Sequence, residues 1–216
     1  MKKSILKLRF FVLLLLLTGS NAVFAQTFKD YFNEQTPVTY LGVDFTEVKV
    51  AGLNDYDLKD LTSRHFSSIN NLMVDEKEAK KYDYSKFFHR ANTQKDISLT
   101  EEHNAKIDPD KIKSTGGADE NRFTAASIDK LVKGYNFAGK KGMGILLVPE
   151  LLSKTKEGGT VYAVFIDMPG KKVLYSEKFS EKAGGIGMRN YWAKVLYNTL
   201  DEMGDKYKDW KKTNGL

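Results

Sequence analysis

The chain has 216 residues, with 34 Lys or Arg against 28 Asp or Glu, a formal charge of +6 and no cysteine. Hydrophobic residues, at 41%, are too many for a disordered chain. Zero cysteine excludes a disulfide framework, a thiolate metal site, a cysteine nucleophile and a lipid-bearing cysteine.

The first 25 residues read as a cleavable export signal. Lys2, Lys3, Lys7 and Arg9 form a basic start, residues 10–17 are an unbroken apolar run, and Val23-Phe24-Ala25 presents small residues where a signal peptidase reads. The apolar run is too short to span a bilayer, which takes about 20 residues. No twin arginine is present, and no other stretch is apolar enough to cross a membrane. Cleavage after Ala25 predicts a periplasmic or secreted chain, residues 26–216, with no membrane span. It also removes four basic residues and no acidic one, which leaves thirty against 28 and a net charge of +2. That balance argues against a nucleic-acid partner.

Phe28, Tyr31 and Phe32 fall at helical spacing and can pin the leader to the body, with Pro37 ending it. Residues 38–50 read as a strand whose alternation slips near Gly42, the mark of a bulge. Asn54 or Asp55 can cap a helix in which Leu58, Leu61, His65, Ile69, Leu72 and Met73 form one apolar face. Residues 75–122 are dense in charge and poor in aliphatics. They read as a polar, mobile surface insertion, with one short strand around Ile97 and Leu99 and a helical turn begun by Pro109.

Thr124 is placed to cap a helix carrying Ile128, Leu131, Val132 and Tyr135, with Gly134 suited to a left-handed end. Residues 145–148 are a short, fully apolar strand that can continue to Leu152, and residues 161–166 are apolar on both faces, as a central strand is. Met168-Pro169-Gly170 predicts a tight turn with positive φ at Gly170. In the third strand Val173, Tyr175 and Phe179 share one face, and Leu174, Ser176 and Lys178 the other. A helix over residues 188–211 follows, with a stripe of Trp192, Val195, Leu196, Thr199, Leu200, Met203, Tyr207 and Trp210. The pattern predicts a single α/β domain: a mixed, largely antiparallel sheet with helices packed on it, the last one covering one face.

Catalytic signatures are missing. There is no Gly-x-Ser-x-Gly, His-Glu-x-x-His or phosphate-loop lysine motif, and His65, His89 and His103 have no histidine at i+3 or i+4. No catalytic residue, metal ligand or cofactor is assigned. His65, on the apolar face of its helix, reads as a satisfied core histidine. Asp167, at a strand end, reads as a turn residue. The sharpest local feature is the loop Gly184-Gly185-Ile186-Gly187 before the last helix, with Arg189 in the first turn. Its backbone N–H groups, with Arg189, Lys140 and Lys141, could make an anion pocket. Tyr191 lies off the helix stripe and is the expected contact for a partner.

Residues 144–152, the segment Thr160-Val161-Tyr162-Ala163-Val164-Phe165-Ile166-Asp167, the strand Lys172-Val173-Leu174-Tyr175-Ser176 and the helix from Arg189 follow one another as strand, hairpin and closing helix. In that order the chain resembles a group of small α/β domains from the Gram-negative envelope. The group includes the curli-secretion protein CsgG, the penicillin-binding-protein activator LpoB and the N-terminal domain of TolB. The resemblance covers about residues 134–210; residues 75–122 have no counterpart, and the lipid-anchor cysteine usual in the group is missing. It implies a non-enzymatic module that works by protein–protein interaction with an envelope partner. A small-ligand or anion-binding module and a hydrolase of envelope polymers are the alternatives.

Overall fold

The computed structural model describes residues 26–216 apart from 54, 55, 79 and 138. The expected export signal lies outside them, as do Asn54 and Asp55. The strands are β1 (Val38–Val43), β2 (Lys49–Ala51), β3 (Thr93–Lys95), β4 (Met143–Ser153), β5 (Gly158–Asp167) and β6 (Lys172–Lys182). A turn at Leu58–Asp60, a π-helical stretch at Leu61–His65 and the helix Phe66–Val74 run on as one element, α1. The others are α2 (Tyr84–Phe88), α3 (Ser98–Asn104), α4 (Ala125–Lys133) and α5 (Met188–Thr213).

The strands form one mixed sheet in the order β3-β1-β4-β5-β6, with β2 paired to the far end of β4. β1 runs parallel to β3 and to β4, while the two long pairings, β4–β5 and β5–β6, are antiparallel. Helices cover both faces, which explains why β4 is buried throughout. Tyr40, Ile145, Ala163 and Phe165 face a large core with Ile69, Met73, Trp192 and Leu196. Leu41, Leu146, Val148, Val164 and Ile166 face a smaller core with Ile128 and Val132 of α4. The stripe of α5 is buried from Trp192 to Trp210, with Tyr207 half-buried.

The slip at Gly42 is a bulge: Tyr40 pairs with Ile145 and Gly42 with Leu146, so Leu41 is the extra residue. Gly42 has φ +91°, and a Cβ there would lie 2.9 Å from Asn70 Oδ1 and 2.8 Å from Ile97. The missing side chain lets the Asn70 amide of α1 clamp Val43, donating to its carbonyl at 3.0 Å and accepting its N–H at 2.7 Å.

Several expectations are corrected. The charged segment 75–122 is not surface alone, since it buries Tyr82, Tyr84, Phe87, Phe88, Ile112 and Arg90. The Arg90 guanidinium donates to the carbonyls of Tyr31, Asn33, Glu34 and Thr36 and so ties down the leader. The short strand falls at Thr93–Lys95, and Leu99 is helical. Asp57 caps α1, accepting from Lys59 N. Gly134 is right-handed, at φ −68°, so the turn tightens without a left-handed residue. In the hairpin after β5 the positive φ falls on Lys171, at 49°, not on Gly170. Gly170 is needed for another reason: a Cβ would stand 2.4 Å from the Asp167 carboxylate. A register shift between Phe165 and Ile166, opposite Leu174, sends Val173 to the α4 face while Tyr175 and Phe179 stay on the α5 face.

Candidate functional site

β1 lies between the two strands parallel to it. From β1 the chain first lays β2 beside the far end of β4, crosses through α1 and α2 to β3 on the other side, and returns through α3 and α4 to β4. This is a topological switch point, where open α/β sheets leave a crevice outside the carboxyl ends of the strands. The residues just past β1 are held there by amides: Asp44 N–H donates to Leu147 O at 2.9 Å and Phe45 N–H to Asn104 Oδ1 at 2.8 Å. Asn104, on α3, also donates to Val43 O at 2.9 Å.

Asp44 is fully buried at this point. The Tyr135 hydroxyl donates to its Oδ2 at 2.6 Å, and the Thr46 hydroxyl and N–H donate to Oδ1 at 2.5 and 2.8 Å. His103 Nδ1 faces Oδ2 at 3.6 Å, and the imidazole stacks on the Tyr135 ring with centroids 3.9 Å apart. Burial alone would raise the Asp44 carboxyl. Its bonds with His103, Thr46 and Tyr135 outweigh that and hold it below its ordinary value, so it is ionised at neutral pH. The Tyr135 hydroxyl is pushed well above its ordinary range, by burial first and by Asp44 next, and stays a donor.

In front of this network opens a crevice of about 520 Å³ between α3, α4 and the loop after β1. Four basic side chains line it: His103, Lys106, Arg122 and Lys130. Glu47 is its one carboxylate, and Phe123, Ile128 and Leu131 make an apolar wall. Lys106 has a competing partner in Glu102, 3.2 Å away on the exposed side of α3. Arg122 is fixed from behind: its Nη2 donates to the carbonyls of Glu47 and Glu150, and the guanidinium lies 4.4 Å over the Phe123 ring. Glu150, fully buried in β4, accepts Phe123 N–H at 2.6 Å and pairs with Lys178 Nζ at 2.6 Å. Arg122 Nε is buried with no hydrogen-bond partner among the described residues. Arg90 Nε and Trp192 Nε1 in the core are buried without a partner in the same way, so what Arg122 offers the crevice is the braced guanidinium as a whole.

The residues singled out from sequence do not come together. Gly184, Gly185, Gly187 and Arg189 lie at the end of the sheet where β5 begins, beside a separate concavity of about 540 Å³. Lys140 and Lys141 line a third one, next to Asp167, where β5 ends. Met143 pairs with Asp167 and Gly158 with Lys182, so the length of β5, roughly 30 Å at about 3.4 Å per residue, separates the two groups. Lys140 is taken by Asp96 at 2.5 Å. Arg189 is exposed and turns to Asn190 Oδ1 at 3.1 Å. Tyr191 is half-buried, its ring covered by Lys154 Nζ at 3.4 Å. The exposed apolar residue of that loop is Ile186, at 94%. His65 is buried and bonded to the Tyr56 hydroxyl at 2.8 Å, as a core histidine should be. Sequence reasoning missed Asp44, His103, Arg122 and Tyr135 as a group. The one local signal was Thr124 capping α4, which fixes where Arg122 and Phe123 leave the helix.

No family model, curated protein or solved structure matches the chain. Fold and crevice define it as an α/β sandwich whose mixed sheet carries a cationic crevice at its switch point.

Proposed function

We propose that the chain is an exported binding module that holds a small organic anion in the crevice before His103. The observation that carries this reading is Arg122. Its guanidinium is braced by two backbone carbonyls and an aromatic ring, and it lines a crevice shared with three more basic side chains and a single carboxylate. Guanidinium forks recognise carboxylate and phosphate groups bidentately. Export is supported by the basic, apolar and small-residue pattern of residues 1–25. Anion titration of the purified protein, followed by calorimetry and melting temperature, tests the reading. Saturable binding that Arg122→Gln weakens tenfold or more supports it; no response to any organic acid or phosphate at millimolar concentration removes it. Edman sequencing of the exported protein should begin at Gln26.

A second reading, docking of an envelope partner, follows from the resemblance of the C-terminal half and from the exposed Ile186 on its glycine loop. Photo-cross-linking from position 186 in intact cells should trap one reproducible partner.

A further inference from the structure

We infer that the anion is an amphipathic monocarboxylate, an acyl or aryl acid whose carboxylate meets Arg122 and whose apolar body lies along Phe123, Ile128 and Leu131. This rests on the anion-binding reading and narrows it to a chemical class.

Three observations select that class. The first is the lining. One wall is apolar and the other basic, with Lys130 free of any carboxylate partner among the described residues. A small hydrophilic anion would leave the wall of Phe123 and Leu131 in water. An acid with an apolar body covers it and removes apolar surface from solvent. The volume, about 520 Å³, falls within the roughly 300–1,000 Å³ of pockets for ligands of that size.

The second is the state of the backbone donors. Phosphate sites at helix starts work through free N–H groups. Here three N–H groups around the start of α4 are used. Thr124 N–H donates to Ser127 Oγ at 2.8 Å, Ser127 N–H to Thr124 Oγ1 at 3.2 Å, and Phe123 N–H to Glu150 Oε1. The segment that carries Arg122 into α4 therefore presents mainly side chains to the crevice.

The third is the number of fixed donors. Arg122 is braced and His103 is held by the ionised Asp44, whereas Lys106 and Lys130 are long, exposed and mobile in rotamer. One braced guanidinium beside one imidazole suits the two oxygens of a carboxylate. His103 Nε2 has no partner among the described residues, so the ring edge away from Asp44 is available to the ligand.

The test titrates octanoate, phenylacetate, acetate, octanol and inorganic phosphate into the purified protein. Octanoate and phenylacetate should bind at least thirtyfold more tightly than acetate or phosphate, and octanol at least tenfold more weakly than octanoate. Leu131→Asn, at a half-buried position, should weaken octanoate fivefold or more and leave acetate unchanged. Arg122→Lys should weaken both carboxylates tenfold. Should Arg122→Lys fail to fold, the exposed Lys130→Ala should still weaken octanoate two- to threefold. Phosphate binding as tightly as octanoate overturns the inference while leaving an anion site standing. Octanol equal to octanoate overturns it too, because the carboxylate would then go unread. No binding by any of the five overturns both this inference and the reading beneath it.

Discussion

Two concavities of nearly equal size sit at different places on this sheet, and both are basic. The crevice before His103 measures about 520 Å³ and the hollow beside the glycine loop about 540 Å³. Behind the first stands a buried layer: Asp44, Tyr135, Asn104 and Glu150 fix the residues that line it. Behind the second the supports are exposed ones: Asn190 Nδ2 donates to Ile186 O and Asn198 Nδ2 to Lys182 O, each at 3.1 Å. Arg189 is exposed and, among the described residues, bonded to its neighbour Asn190, and Lys81 and Lys194 lie over tyrosine rings. Charge content does not separate the two. Positional support does, because binding groups must be held in place by a second layer to discriminate a ligand.

The contrast is broken most sharply by removing that layer. Asp44→Ala strips a buried carboxylate from two hydroxyls, an N–H and an imidazole. It should cost about 3–5 kcal/mol in urea unfolding, the range for one partner lost from a buried pair. Arg189→Ala, at the exposed loop, should stay within about 0.5 kcal/mol. Equal costs would erase the distinction.

Glycine substitutions give the next largest effect. Gly42→Ala meets both a positive φ and the side chains of Asn70 and Ile97, and should destabilise by about 3 kcal/mol, the top of the range for one strained residue. Gly187→Ala meets open space but a backbone, φ 81° and ψ 154°, that is essentially restricted to glycine, and should cost about 2 kcal/mol. Thermal unfolding in parallel compares them.

A smaller effect is pH dependence. The Asp44 carboxyl is held below its ordinary value in the folded state, so the unfolded chain binds its proton first as pH falls. The stability it contributes is complete above its unfolded pKa, near 4, and drains away as pH drops through the folded value. Asp44→Asn should flatten that part of the acid-unfolding profile. The Asp96 carboxyl, pushed down to about 2 chiefly by its bond with Lys140, adds loss in the same direction at the acid end. The smallest effect is Lys140→Ala at neutral pH: the pair with Asp96 is only half-buried, and its removal should cost about 1 kcal/mol.

Much of the fold was legible because its cues are local. The apolar runs at residues 145–148 of β4 and 161–166 of β5, the stripe of α5 and the slipped alternation at Gly42 each lie within one segment. The aromatic cluster in 75–122 was legible too, yet masked by charge. Tyr84, Phe87 and Phe88 stand at i, i+3 and i+4 behind Asp83, which caps α2, and together they read as a short amphipathic helix. Val173 was misplaced because a bulge opposite Ile166 changes parity within the strand, and nothing near Leu174 announces it. The crevice was not legible at all. Asp44, His103 and Tyr135 are far apart in the chain and meet only because β1 lies between β3 and β4. The glycine-rich loop drew attention by composition, but composition carries no information about what stands behind it.

The central claim is one of location: an apolar acid binds before His103 and not at the glycine loop. A diazirine-bearing fatty acid, photolysed on the purified protein and mapped by peptide mass spectrometry, measures that directly. The account predicts label on residues 122–131, competed away by octanoate. Label concentrated on residues 182–194, or spread evenly over the surface and insensitive to octanoate, would contradict it.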